Sequence, residues 1–91
     1  MALALQLSRQ AVRFIKTLPP KHYKQVVSTM LSLLGNSEPH DSQQLKGSKD
    51  NNRRVDIGEY RIIYRVDDAN VWVLVIGKRN NDEVYKIFNR Q

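Results

Sequence analysis

The chain has no cysteine, two histidines, one tryptophan and no apolar run approaching the roughly 18 residues that a membrane span requires. Without cysteine, disulfides and thiolate metal sites are excluded, and a reducing cytoplasm is the expected compartment. His22 and His40 are too few for a histidine-rich metal site and argue against a paired-histidine nuclease. The start, Met1 to Leu7, carries no charge, and Arg9 and Arg13 interrupt the apolar stretch that follows, so neither a secretory signal nor a membrane partner is expected. Repeats, low-complexity tracts and long linkers are also missing, so residues 1–91 read as a single domain. A chain of this size buries only about 60 to 65% of its unfolded surface, which leaves a small core and a use for a stabilising partner. Acidic residues are scarce as well. Nine Asp and Glu stand against 15 Lys and Arg, and the net charge of +6 draws the chain toward polyanions, nucleic acid first.

Leu3, Leu5 and Leu7 alternate with Ala4 and Gln6, the period of a half-buried strand, and Ser8 offers an N-cap oxygen. Ala11, Phe14, Ile15 and Leu18 then recur at helical spacing until Pro19-Pro20 ends the segment. A second helix begins at Pro20, with Tyr23, Val26, Val27, Met30, Leu33 and Leu34 as its apolar stripe and Gly35 at its close. From Asn36 to Asn52 the sequence turns polar and reads as a surface loop anchored by Leu45. Val55 and Ile57 open a strand, Gly58-Glu59 a tight turn, and Tyr60 to Val66 a second strand. After a turn at Asp67 to Asn70, the run from Val71 to Ile76 predicts a central strand covered on both faces. Asn80 and Glu83 resemble a capping box for a short closing helix carrying Val84, Ile87 and Phe88. The expected class is α+β: an N-terminal strand, a helical hairpin on a mainly antiparallel sheet of about four strands, and a short C-terminal helix.

Alternation places Tyr60, Ile62, Tyr64 and Val66 on one face of their strand and Arg61, Ile63 and Arg65 on the other. Arg61 is then a guanidinium between apolar neighbours, costly to place unless it meets an anion or a carboxylate. With Val66 opposite Val71, Arg61 falls opposite Ile76 and diagonal to Lys78, with Arg79 nearby. Arg53, Arg54, Arg61, Lys78, Arg79 and Tyr85 thus suggest a phosphate-binding surface. The alternative is a solvated basic face with ion pairs to Asp56 or Glu59. Trp72 and Tyr64 fit core packing better than a base-stacking platform. The outer side of the first helix, Arg9, Arg13 and Lys16 with Lys21 and Lys24 beyond, is a solvated or RNA-facing surface.

Gly58-Glu59-Tyr60-Arg61-Ile62-Ile63-Tyr64-Arg65-Val66, then Val75-Ile76-Gly77-Lys78-Arg79, then Glu83-Val84-Tyr85, resembles the RelE/ParE superfamily of bacterial and archaeal toxins. The likeness runs along the whole chain, through Leu18-Pro19 and Leu45-Lys46-Gly47, and its nearest branch is similar to RelE, whose members cut mRNA in the ribosomal A site. That resemblance implies a toxin of a type II toxin-antitoxin system with a cognate antitoxin, mRNA and the ribosome as partners and no cofactor or metal. It implies catalytic roles for Arg61, Arg79 and Tyr85: holding the scissile phosphate, stabilising or protonating the leaving oxygen, and orienting or deprotonating the 2′-hydroxyl. Arg54, Lys78, Arg53 and Lys46 are expected as supporting phosphate contacts. Of the two alternating lysines of that family's preceding strand, Arg54 keeps the charge of the first and Asp56 reverses that of the second. The alternatives are a ParE-like DNA gyrase inhibitor, a branch that generally lacks the Arg, Arg and Tyr set, and a catalytically inactive RNA-binding module.

Overall fold

The computed structural model describes residues 3–45, 51–80 and 83–90. Strand β1 (Ala4–Leu7) leads into helices α1 (Arg9–Lys16) and α2 (Pro20–Gly35). Then follow β2 (Gln43–Gln44), β3 (Arg53–Ile57), β4 (Tyr60–Val66), β5 (Asn70–Lys78) and α3 (Glu83–Arg90). The sheet order is β1-β5-β4-β3-β2; β1 runs parallel to β5, and the other neighbours are antiparallel. The α+β class and the order of layers are those expected from the sequence. The strand count is five among the described residues rather than about four, because Gln43 and Gln44 pair with Arg54 and Arg53 at the sheet edge. Both glutamines are exposed, so no apolar alternation marks them as a strand.

The helical hairpin begins where Ser8 takes an extended conformation and its Oγ accepts the Ala11 N–H at 3.1 Å. The same hydroxyl donates to the Leu74 carbonyl at 2.6 Å, tying the cap to β5. Gln10 continues this edge: its Nε2 donates to the Ile76 carbonyl at 2.8 Å and its Oε1 accepts the Ile76 N–H at 3.0 Å. One side chain thus stands in for a strand beyond the end of β1, which pairs only with Asn70 to Val73. Gln10→Ala strips both partners from a buried residue and is expected to lower unfolding stability by about 1–3 kcal/mol, seen as an earlier urea midpoint with unchanged slope.

Pro20 opens α2, where its missing N–H leaves no helical bond unmade. Val26, Met30 and Leu33 are its buried residues. Tyr23, expected on that stripe, is instead 44% exposed: the face that meets the sheet runs through His22, which touches Tyr60, to Val26, Met30 and Leu33, and Tyr23 lies beside it. One face of the sheet packs on this hairpin through Val55, Tyr60, Ile62, Tyr64, Val71, Val73 and Ile76. The other face carries a smaller cluster, Ile63, Val75 and Val84, joined by Leu45, Leu74, Tyr85, Ile87 and Phe88. Trp72 belongs to neither cluster and so is not the core residue expected. It is half-buried on a part of the sheet paired with Gln6 and Arg65, and its Nε1 donates to Asp67 at 2.7 Å.

Leu74 is a β-bulge. Tyr64 pairs with Val73 but Ile63 pairs with Val75, so one residue of β5 has no opposite number and side-chain parity switches along the strand. Val71 and Val73 face the hairpin before the bulge, Ile76 after it, and Leu74 and Val75 both face α3. The added residue moves Arg61 opposite Gly77, not opposite Ile76 as uninterrupted pairing implies. Asn80, read as a cap, precedes residues 81 and 82, which lie outside the described set; Glu83 stands in the first turn of α3.

Candidate active site

The two-residue turn between β3 and β4 sets the geometry of the site. Gly58 has φ 57°, the left-handed conformation that the first central position of a primed hairpin turn demands, and it brings Ile57 opposite Tyr60 and Asp56 opposite Arg61. Both side chains of the latter pair stand on the α3 face of the sheet. Arg61 grips the carboxylate with two bonds, Nε to Oδ1 at 2.6 Å and Nη2 to Oδ2 at 3.0 Å. Its remaining arm, Nη1, donates to the Tyr85 hydroxyl at 3.2 Å, and its Cζ lies 5.6 Å from the centre of that ring. Arg79, at the end of β5, anchors its backbone N–H on the Glu59 carbonyl and brings Nη1 to 3.8 Å from the second oxygen of Asp56.

Arg61, Arg79 and Tyr85 therefore come to one place, from β4, the end of β5 and α3, around a carboxylate. The Arg61 side chain is only 13% exposed, whereas Asp56 is 34% and Arg79 56% exposed, so the cluster opens to solvent on the Arg79 side. Gly77 makes room for it. A Cβ there would sit 3.0 Å from Val84 Cγ1, so the bare backbone lets α3 approach and hold Tyr85 over Arg61.

The supporting cations divide. Arg54 shares the face of Asp56 and is held by Gln43 Oε1 at 2.6 Å, a partner hidden in what reads as loop sequence. Arg53 points to the opposite face, because adjacent residues of a strand alternate; it bonds Ser42 Oγ at 2.9 Å and Glu38 at 3.4 Å, away from the cluster. Lys78 pairs with Tyr60 on the hairpin side and meets the site only where it lines, with Gly58, Glu59, Arg79 and Asn80, an open depression of about 310 Å³. Lys46 lies outside the described residues. His22 is far from this chemistry in role: its Nδ1 is 2.6 Å from the Tyr60 hydroxyl beneath the other face.

The hydrogen bond from Arg61 holds the Asp56 carboxyl below the ordinary carboxylate range; desolvation opposes this, and the charges of Arg61, Arg54 and Arg79 reinforce it. Arg61 is raised in turn, chiefly by Asp56, and stays charged. A carboxyl depressed by folding stabilises the fold fully above its unfolded value, near about pH 4, and that contribution is lost as pH falls through the lower folded value. Asp56→Asn should therefore show a shallower fall in urea midpoint below about pH 4 than the unaltered chain does.

Against known proteins, the family model described as the ParE toxin of type II toxin-antitoxin system, parDE, matches residues 5–83. The chain belongs to the ParE toxin family. It is thus a toxin of the type II toxin-antitoxin class, and the likeness to the RelE/ParE superfamily read from its motifs holds. Among solved structures, the archaeal RelE-RelB complex from Pyrococcus horikoshii OT3 is 26% identical with a TM-score of 0.78, covering 89% of this chain and 99% of that one. A free, doubly arginine-substituted toxin RelE from E. coli has 23% identity and a TM-score of 0.80 over 99% of this chain and 97% of that one. The intact E. coli RelBE toxin-antitoxin complex has 21% identity and a TM-score of 0.73, with coverage of 88% and 100%. No curated protein matches the chain in sequence. Among the described residues no helix is long and apolar enough to cross a membrane.

Proposed function

We propose that this toxin is a ribosome-dependent endoribonuclease that cuts mRNA in the A site by attack of the 2′-hydroxyl on the adjacent phosphorus. The observation that carries this reading is the meeting of Arg61, Tyr85 and Arg79 around one anion-holding point. The reaction needs a group to take the hydroxyl proton, cations for the charge on the phosphorane-like transition state, and a donor for the departing 5′-oxygen. Arg61, with its planar fork, holds the phosphate oxygens; Tyr85, bonded to Arg61, orients or deprotonates the 2′-hydroxyl; exposed Arg79 serves the leaving oxygen. Arginine and tyrosine ionise about 3 units or more above neutrality, so the chemistry is slow unless the message is held in line, a task suited to the ribosome. A cognate antitoxin is the second partner, in keeping with the RelE-RelB and RelBE complexes among the similar structures. An acidic segment from it would cover this cationic ground.

A second reading is favoured by the ParE description of the matching family model: inhibition of DNA gyrase without RNA cleavage. A third, RNA binding without catalysis, is favoured by the carboxylate that already occupies Arg61. Mapping transcript ends after induction, with and without translation, decides between them. Sharp cuts inside translated codons, lost in Tyr85→Phe and Arg79→Ala, are the expected result; growth arrest with intact transcripts and poisoned gyrase overturns the nuclease reading.

A further inference from the structure

Among the described residues, Asp56 is the one carboxylate that pairs with two arginines. Its oxygens take the Nε and Nη2 donors of Arg61 at 2.6 and 3.0 Å, the two-pronged grip by which a guanidinium also holds a phosphodiester. Those two donors cannot serve a carboxylate and a phosphate in the same geometry at once. The third arm of Arg61 bonds Tyr85, and the single N–H groups left on Nη1 and Nη2 do not restore the Nε–Nη2 edge that the carboxylate fills. Arg79 is the exception in the cluster, more than half exposed and only loosely paired at 3.8 Å. The basic patch that net charge and spacing make so prominent is therefore partly self-neutralised at its centre.

We propose that Asp56 is a built-in occupant of the phosphate subsite, which the backbone of the bound RNA must displace from Arg61 before the subsite can fill. The identity of that phosphate rests on the nuclease reading above. The carboxylate acts as a threshold. A stray strand meets an Arg61 whose Nε–Nη2 edge is already filled and gains little by exchanging one anion for another. A strand held against the protein by other contacts presents its phosphate at high effective concentration and wins the exchange. The low proton affinity of Asp56 keeps the occupant charged across the neutral range, so the threshold does not relax with modest acidification. Asp56 is thus a determinant of discrimination with a negative sign for affinity, and the strand position opposite Arg61 is where that sign is set.

The test is binding of a labelled single-stranded 2′-O-methyl RNA, which has no hydroxyl to attack, to the full chain, followed by fluorescence anisotropy. Asp56→Asn and Asp56→Ala are each expected to tighten binding about tenfold at low salt, the order of one close charge interaction. Asp68→Asn removes the same charge from the far turn of the β4–β5 hairpin and is expected to change affinity by less than about twofold. On an Arg61→Ala background, Asp56→Asn should give only a small gain, well below tenfold, since just the loosely paired Arg79 is left to release. Urea unfolding of every variant establishes that folded protein is compared. An equal gain from Asp68→Asn, no gain from either Asp56 variant, or a gain undiminished by the loss of Arg61 overturns the proposal. Transcript mapping separates this outcome from the fate of the nuclease reading. Cutting by the unaltered chain with no Asp56 effect sinks only the occupant. Tighter Arg61-dependent binding with no cutting anywhere sinks only the nuclease.

Discussion

Arg61→Ala is expected to slow cleavage of translated messages by about two to three orders of magnitude, the loss typical of removing a preorganised donor from a developing oxyanion. Arg61 is the most enclosed cation of the cluster and the one that touches both Asp56 and Tyr85, so its loss removes the proposed phosphate grip and frees the phenol together. Arg61→Lys keeps a charge but cannot reproduce the planar fork, and an intermediate rate is expected. The fold should survive both changes, because Asp56 is partly exposed and retains Arg79 as a neighbour. The measurement is the rate at which defined ends appear in a translating extract, with urea midpoints in parallel. A rate near that of the unaltered chain, in a folded variant, would remove the foundation of the proposed mechanism.

Gly77→Ala is the second large effect, and it couples packing to the site. The added methyl would meet Val84 Cγ1 at 3.0 Å, and Val84 is fully buried in the cluster that seats α3. Either Val84 yields or α3 lifts, at a cost of about 1–3 kcal/mol. Lifting α3 carries Tyr85 away from the Arg61 guanidinium, so cleavage should fall together with stability. Val84→Ala alone leaves a cavity, but combined with Gly77→Ala it relieves the crowding. The double variant is therefore expected to be more stable than the sum of the two single effects allows. Simple additivity would show that Gly77 is not the residue that seats the helix.

Local signals carried much of this fold. Ser8 before an amphipathic run, Pro19-Pro20 between two such runs, and Gly58-Glu59 between β-rich segments each act within a few residues, and each appears where its chemistry predicts. What escaped depends on contacts distant in sequence. The Leu74 bulge lies in an apolar run covered on both faces, where alternation cannot reveal a change of parity, so uninterrupted pairing places Ile76 opposite Arg61 where the bulge brings Gly77. Arg53 and Arg54 form one patch by charge alone, yet strand alternation sends these neighbours to opposite faces. The short β2 has only polar exposed residues; Tyr23 lies beside the buried stripe of α2, and Trp72 stands outside both core clusters with its Nε1 on Asp67. At the site, Asp56 was legible as a partner for Arg61 because a two-residue turn fixes that register. Gly77 was not singled out, although a glycine interrupting a β-branched strand signals close approach of another element.

The placement of β1 has a consequence for synthesis. Leu3, Leu5 and Leu7 are made more than 60 residues before the strand that shelters them, β5, which begins at Asn70. Ser8 and Gln10 likewise reach their partners 66 residues downstream. The nascent chain therefore cannot close its sheet until β5 has emerged, and the leucines of β1 stay open to chaperones or to a co-produced partner meanwhile. Topology itself thus delays the moment at which a newly made toxin domain is complete.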